Sequence, residues 1–453
     1  MRRRILICAF ACLADPGTKF FGGGDQMAWN LVKRLSRAHR LWVLTAAQNR
    51  QALEAALEKE PLPGLEFVYV DLPGWLHGLT KHQGGIQFYA YLWQWKAYFV
   101  ARKLHRQVRF DAFHHLSYDN DWMASPIGAL LPVPYFRGPC GGAHSIPRAF
   151  LREFPFANRL GEQGREQLQR LFRLDPFFIL SRRRAKTILV GNREAWEALP
   201  RRSRQKAKLM SVNGVPPELM ALARPRLAQP VTRGEGQDYT VQGEASEHTV
   251  QGETSDHTVQ GQPADRRRLP FHVLMAGRLV RIKGFDLAIH AFARFARSHP
   301  DAQFTIVGEG PELARLQDLT RALDCERQVR FAGWMPREQL FVKMASCYVF
   351  LFPSLRDGGG LVVVEAMAAG TPVICLDLGG PGLHVTDQCG IKVAPASPPQ
   401  AITGMADALE RLYNYEGLRV QMGQAARRRV EQVYDWDRVA ERVLEMYRAA
   451  LGA

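Results

Sequence analysis

Short runs of almost uninterrupted apolar residues alternate with amphipathic stretches along this chain, and that alternation constrains its fold most. RILICAF, LWVLTAA, LEFVYVDL, AFHHLS, PVPYF, TILVGN and KLMSVNGV read as strands, with NLVKRLSRA, FYAYLWQWKAYFVARKL and REAWEAL as helices among them. Strands without polar alternation are buried on both faces, and a helix between consecutive strands makes their pairing parallel. The same grammar resumes after Leu269: FHVLMAGRL, AQFTIVGEG, VRFAGW, YVFLFPS and PVICLDL as strands, DLAIHAFARFARSH, ELARLQDLTRAL, REQLFVKMAS and VVVEAMAAG as helices. The expected class is α/β, with two Rossmann-like, doubly wound parallel-sheet domains and a ligand in the cleft between them, at the strands' carboxyl ends.

Between the two series lie three copies of a nine-residue unit, TVQGEASEH, TVQGETSDH and TVQGQPADR, starting at Thr240, Thr249 and Thr258. The unit has no apolar stripe with which copies could stack, so a polar linker or insertion over 216–268 is expected. It separates an N-terminal domain (1–215) from a C-terminal domain (269–430). WDRVAERVLEMYRAAL, within 431–453, carries Val439, Val443, Leu444 and Tyr447 on one helical stripe and is expected to pack back on the N-terminal domain. Arg2-Arg3-Arg4 before ILICAFACLA imitates a secretory leader, but the run continues into a Gly-rich turn and an amphipathic helix. A first strand is therefore expected there.

With 46% hydrophobic residues the chain can bury large cores, and it contains no apolar run of about 18 residues that would span a membrane. Its seven cysteines are scattered, without zinc-ligand spacing, as expected in a reducing compartment. Lys and Arg exceed Asp and Glu by 16, so a negatively charged partner is expected. The excess is concentrated in 148–208, which has 16 Lys or Arg against six Asp or Glu, interleaved with Phe150, Phe154, Phe156, Leu160, Phe172, Phe177 and Phe178. That mixture suits an anionic lipid surface, hence a cytoplasmic protein peripheral at the inner face of the membrane. No nucleic-acid module accompanies the charge, and nucleic acid is not expected as a partner.

Three strand ends carry glycine or cations. In AGRLVRIKG, Arg278 and Lys283 follow a strand, and two such cations can clamp a diphosphate. VGEGPE brings Gly308 and Gly310 to the same edge. In PSLRDGGGLVVVEAMAAG, a Gly-rich turn opens a helix whose first amides attract an anion. Asp357 in that turn could reach a sugar's hydroxyls, and Glu365, eight positions on, could accept from a ribose.

These three segments, in order and spacing, resemble the C-terminal domain of the family-4 retaining glycosyltransferases of GT-B fold, over roughly 269–450. The resemblance is to members that build exopolysaccharide and lipopolysaccharide. It implies donor contacts by Arg278, Lys283, Gly308 and Gly310, phosphate binding by the amides of Gly359, Gly360, Leu361 and Val362, and ribose binding by Glu365. Asp357 stands beside the donor sugar, at a position where the family usually has Glu. In the N-terminal half, Gly22, Gly23 and Gly24 resemble the family's acceptor-side glycine loop, and Gly141 and Gly142 in PYFRGPCGGAHS resemble a second cleft segment. NGVPPE, with Asn213, Gly214 and Val215, resembles the segment closing the domain. DAFHHLSYDND resembles a strand end whose histidine approaches the reacting sugar. His114 or His115 would fill that role; alternation lets only one face the cleft, and alignment favours His114. Asp119-Asn120-Asp121 spells D-x-D, but two cations already serve the phosphates, so no metal or other cofactor is expected.

The function implied is transfer of a sugar, with retention, from a nucleoside-diphosphate sugar to a glycan or lipid-linked acceptor. Alternatives are a nucleotide-sugar epimerase of the same fold and a catalytically silent nucleotide-binding partner protein. A dinucleotide oxidoreductase is disfavoured, because no G-x-G-x-x-G with a following acidic residue succeeds the first strand.

Overall fold

The computed structural model describes residues 2–13, 23–81, 83–117, 122–141, 145–211, 213–223 and 270–452. The nonapeptide repeats, Asp119–Asp121, Gly22 and Gly142 lie outside them. The N-terminal sheet contains β1 (Arg4–Ala9), β2 (Arg40–Ala46), β3 (Leu65–Val70), β4 (Ala112–Ser117), β5 (Tyr135–Cys140), β6 (Ala185–Val190) and β7 (Ala207–Leu209). Its order is β3-β2-β1-β4-β5-β6-β7, and every pairing is parallel. RILICA is thus a central strand, between β2 and β4. Its alternation sorts the core: Ile5, Ile7 and Ala9 enter one apolar cluster, Leu6, Cys8 and Phe10 the cluster on the other face.

The C-terminal sheet contains β8 (His272–Ala276), β9 (Gln303–Val307), β10 (Val329–Phe331), β11 (Val349–Phe352), β12 (Val373–Leu376) and β13 (Gly390–Val393). The order is β10-β9-β8-β11-β12-β13, again wholly parallel. Direction of travel reverses at β1/β4 in one sheet and β8/β11 in the other. Loops diverge at such a point and leave a crevice above the strand ends.

Helix Trp436–Leu451 buries Trp436, Val439, Ala440, Val443, Met446 and Tyr447 in the cluster that contains Ile5, Ile7, Leu31 and Leu35 of the N-terminal domain. Asp435 caps it, accepting from the amides of Asp437 and Arg438 at 2.9 and 3.2 Å. The strand expected up to Val215 is shorter than its apolar run. β7 ends at Leu209, Gly214 lies against the Trp436 ring, and Val215 bridges to Asp435. The Val215 amide donates to the Tyr434 carbonyl at 2.9 Å, so the segments leaving and re-entering the N-terminal domain hold each other. Among the described residues no helix is long and apolar enough to cross a membrane.

Candidate functional site

The loops after β8, β9 and β11 form one rim. The β8 loop is laced to the β11 loop: the Leu355 amide donates to the Ile282 carbonyl at 2.9 Å, and Ser354 Oγ to the same oxygen at 3.3 Å. Gly308 shows how close the rim loops run. At φ +139, a Cβ there would lie 1.9 Å from the Gly277 carbonyl oxygen, and one on Gly310 would meet that of Leu279 at 2.3 Å. The glycines of VGEGPE are therefore required first by loop-on-loop packing, a reason distinct from the ligand approach expected of them.

The β11 loop ends in Asp357-Gly358-Gly359-Gly360, and helix Leu361–Ala368 follows. Gly360 is left-handed at φ +63, and its carbonyl accepts from Val363 and Val364 at 3.0 and 3.3 Å. Leu361 and Val362 thus begin the helix, where first-turn amides have no intrahelical acceptor. Asp357 Oδ1 accepts from the amides of Gly360 and Gly359 at 2.7 and 3.2 Å, while Oδ2 is ion-paired with Lys283 Nζ. Burial alone would raise this carboxyl, but Lys283 and the two amides outweigh it and hold it below the usual carboxylate range. Both Asp357 oxygens are thus committed to shaping the turn.

That pairing changes the charge arithmetic of the two cations expected to clamp a diphosphate. Lys283 is already balanced by Asp357. Arg278 is exposed, with no ion-pair partner among the described residues, and supplies the uncompensated charge.

Polar side chains from both domains hold the turn from behind. Asn213 Nδ2 donates to the Gly359 carbonyl, which also accepts from His384 Nε2 at 2.5 Å. Asn192 Nδ2 donates to the Gly358 carbonyl at 3.5 Å, and Glu194 Oε1 accepts from the Gly379 amide at 2.8 Å. With its carbonyls engaged, the turn has a defined face. Glu365, 7% exposed, takes Arg337 Nε on Oε1 at 2.6 Å. A cavity of about 390 Å³ between the domains is lined by Gln26, Trp29, Asn30, Leu219, Arg337 and Glu338, among others.

The histidines are placed otherwise than expected. His114 has no exposed surface; the Tyr447 hydroxyl contacts Nδ1 at 2.6 Å, and Nε2 contacts the Gly138 carbonyl at 2.8 Å. A carbonyl only accepts, so Nε2 carries the proton and Nδ1 accepts from Tyr447. The ring is a neutral link between β4, β5 and the C-terminal helix, with nothing to offer a substrate. His115 is 1% exposed, and its Nε2 contacts Gln94 Nε2 at 2.9 Å. Alternation does send the two to opposite faces of the sheet, but each face is covered. Gly23 and Gly24 open helix Gly23–Ala38, and Gly141 lies just past β5 with open space where a side chain would be.

Burial pushes His114 and His384 down to about 4, so both remain neutral at neutral pH. Once unfolded they titrate near 6.5, so below that pH the unfolded chain binds protons that the native state refuses. Stability is therefore expected to fall as pH drops from about 6.5 to about 4, by up to about 3 kcal/mol for each ring. Urea midpoints measured across this window check it; in His384→Asn the slope should be shallower than in wild type.

Sequence reasoning missed Arg337, His384, Asn192 and Glu194, and saw Asn213 only as part of a segment. None stands in a local pattern that announces its partner; Arg337 merely follows Pro336 at a helix start.

Comparison with known proteins relates part of the chain to a known family. Residues 263–429 match the family described as Glycosyl transferases group 1. Glycogen synthase of Mycobacterium tuberculosis is 34% identical over 182 residues, which are 40% of this chain and 43% of that protein. The match thus spans less than half of that relative's length. Anabaena HepE, solved in complex with UDP, superimposes with a TM-score of 0.60 at 16% identity, covering 99% of this chain and 100% of the other. WaaG, a glycosyltransferase involved in lipopolysaccharide biosynthesis, gives a TM-score of 0.52 at 15% identity, covering 98% and 99%. The architecture is that of GT-B glycosyltransferases.

Proposed function

From the premise that residues 263–429 are a group 1 glycosyltransferase domain on a GT-B frame, we propose that the protein is a retaining hexosyltransferase acting on a nucleoside-diphosphate sugar. The acceptor in this reading is a glycan or lipid-linked saccharide, and the setting is cell-envelope polysaccharide or glycolipid assembly. One observation carries the reading. At the β8/β11 crevice a glycine turn, a helix start, an exposed arginine, a lysine and a buried carboxylate share one rim.

In that reading the diphosphate lies on the helix start and Arg278, with Lys283 shared between Asp357 and phosphate. As the sugar leaves, negative charge grows on the diphosphate, and fixed cations and amides stabilise it without reorganising. The chain's own cations and amides would carry that charge without a divalent metal. Glu365 would receive ribose hydroxyls. Asp357, with both oxygens engaged, is poorly placed to form a covalent glycosyl intermediate. This favours acceptor attack on the face the phosphate leaves, and the retaining course rests on that.

The helix Phe156–Phe172 supports a lipid-side acceptor. Its amphipathicity is inverted: Phe156, Leu160, Leu168 and Leu171 are 51–71% exposed, whereas Gln169 is buried and Glu162 and Arg165 are half-buried. Phe150, Phe154 and Phe178, expected on the basic surface, are instead buried. The outward stripe therefore consists of Phe156, Leu160, Leu168 and Leu171, among the basic residues of 148–208. An apolar stripe ringed by cations fits an anionic membrane at the cytoplasmic side.

A thermal-shift panel of UDP, GDP, ADP and their glucose or mannose esters, with and without EDTA, tests the donor reading. A ligand that binds only the native state raises the melting temperature as its concentration passes Kd. One nucleoside is expected to give a shift that survives EDTA. No shift from any nucleotide in folded protein would remove the donor site.

A further inference from the structure

Glu365 has a partner that its motif does not contain. Arg337 opens helix Arg337–Ser346, which precedes β11, and its Nε donates to Glu365 Oε1 at 2.6 Å. The same guanidinium turns Nη1 to Gln26 Oε1, at 2.9 Å, on the first helix of the N-terminal domain. Neither side chain is exposed: 19% of Arg337 and 10% of Glu365 remain accessible. Glu365 Oε2 accepts no hydrogen bond from the described residues. One carboxylate oxygen is thus fixed by a cation and the other remains available to a donor.

A buried carboxylate is expensive unless a cation or several donors face it, and here the cation also fixes the direction of the carboxylate plane. We propose that Arg337 is the positioning residue of the ribose site: by holding Glu365 Oε1 it aims Oε2 at the nucleoside. The inference rests on the donor reading above, in which Glu365 receives the ribose. Arg337 touches no reacting atom, so its removal alters nucleoside selection and donor KM far more than kcat.

The experiment compares UDP, GDP and ADP with their 2′-deoxy and 3′-deoxy analogues by calorimetry, on wild type, Glu365→Gln, Arg337→Met, Arg337→Lys and Gln26→Leu. Wild type is expected to prefer the ribonucleotide by about tenfold or more, the effect of one hydrogen bond to a charged group. Glu365→Gln and Arg337→Met should both lose most of that preference. Arg337→Lys, which keeps the charge, should recover part of the preference, and Gln26→Leu should keep all of it. Arg337→Gln replaces the methionine variant if that does not fold.

The outcomes separate. A preference kept by Arg337→Met, or one that Arg337→Lys fails to recover, overturns the positioning role while Glu365 remains the ribose ligand. Loss in Gln26→Leu equal to that in Arg337→Met also overturns it, because domain contact alone would then explain the effect. A preference kept by Glu365→Gln, or no nucleotide binding in wild type, removes the ribose reading and the inference with it.

Discussion

Lys283→Ala is expected to lower the rate of sugar transfer by about a hundredfold to a thousandfold, the usual result of removing one fixed donor from a site where transition-state charge develops. The same change removes the cation facing Asp357. Breaking a buried pair from one side leaves an uncompensated charge and costs about 3 kcal/mol. The two effects have different pH signatures. In wild type Asp357 is held low, so its contribution to stability is present at neutral pH and is lost as pH falls through its folded value. In Lys283→Ala only the two glycine amides oppose burial, so the carboxyl lies higher than in wild type and contributes less to stability at neutral pH. The stability deficit of the variant should therefore be largest near neutrality and shrink towards about pH 4. Adding Asp357→Asn should flatten that dependence and restore stability without restoring transfer. Denaturant midpoints against pH, measured beside kcat, check both. A double variant regaining activity would mean that Lys283 serves only to neutralise Asp357.

The pair behind that expectation is half legible in the sequence. The spacing of Arg278 and Lys283 after an apolar strand points to a phosphate clamp from sequence alone, because a parallel strand's carboxyl end is where loops of both domains converge. The partner of Lys283 is 74 residues away, and nothing local encodes it. The same holds for Arg337 with Gln26, 311 residues apart, and for Asn213 with Gly359, 146 apart. Strands were readable because burial on both faces demands consecutive apolar residues. The end of β7 was not, because Asn213 and Gly214 are diverted to Gly359 and Trp436 by tertiary contacts that override propensity. Period-two logic separated His114 from His115 but could not show that both faces were covered. The cover on His114 comes from Tyr447, on a helix 333 residues later in the chain.

The helix Phe156–Phe172 makes the other large prediction, and the reasoning depends on which way its stripe faces. An amphipathic helix on a soluble domain normally turns its apolar side to the core. Here the inward side is largely polar, with Phe172 against Tyr91 and Trp122 as its apolar contact: Glu162 receives Arg165 Nε at 2.9 Å and pairs with Arg356, immediately before Asp357 in the glycine turn. Replacing Phe156, Leu160 and Leu171, each more than half exposed, with serine therefore removes little internal packing, and folded stability should change little. Each side chain entering lipid contributes about 1 kcal/mol or more, even at partial burial. The triple variant should then partition at least about a hundredfold less onto vesicles containing phosphatidylserine or phosphatidylglycerol. Salt should weaken the wild-type interaction only in part, since screening acts on the cations of 148–208 and leaves the apolar term. Sedimentation with anionic and zwitterionic vesicles reads both. Equal partitioning of the two proteins would exclude this face as the lipid contact. With transfer to a soluble acceptor intact, loss of vesicle binding would place the stripe in delivery of the lipid-linked acceptor rather than in the chemistry.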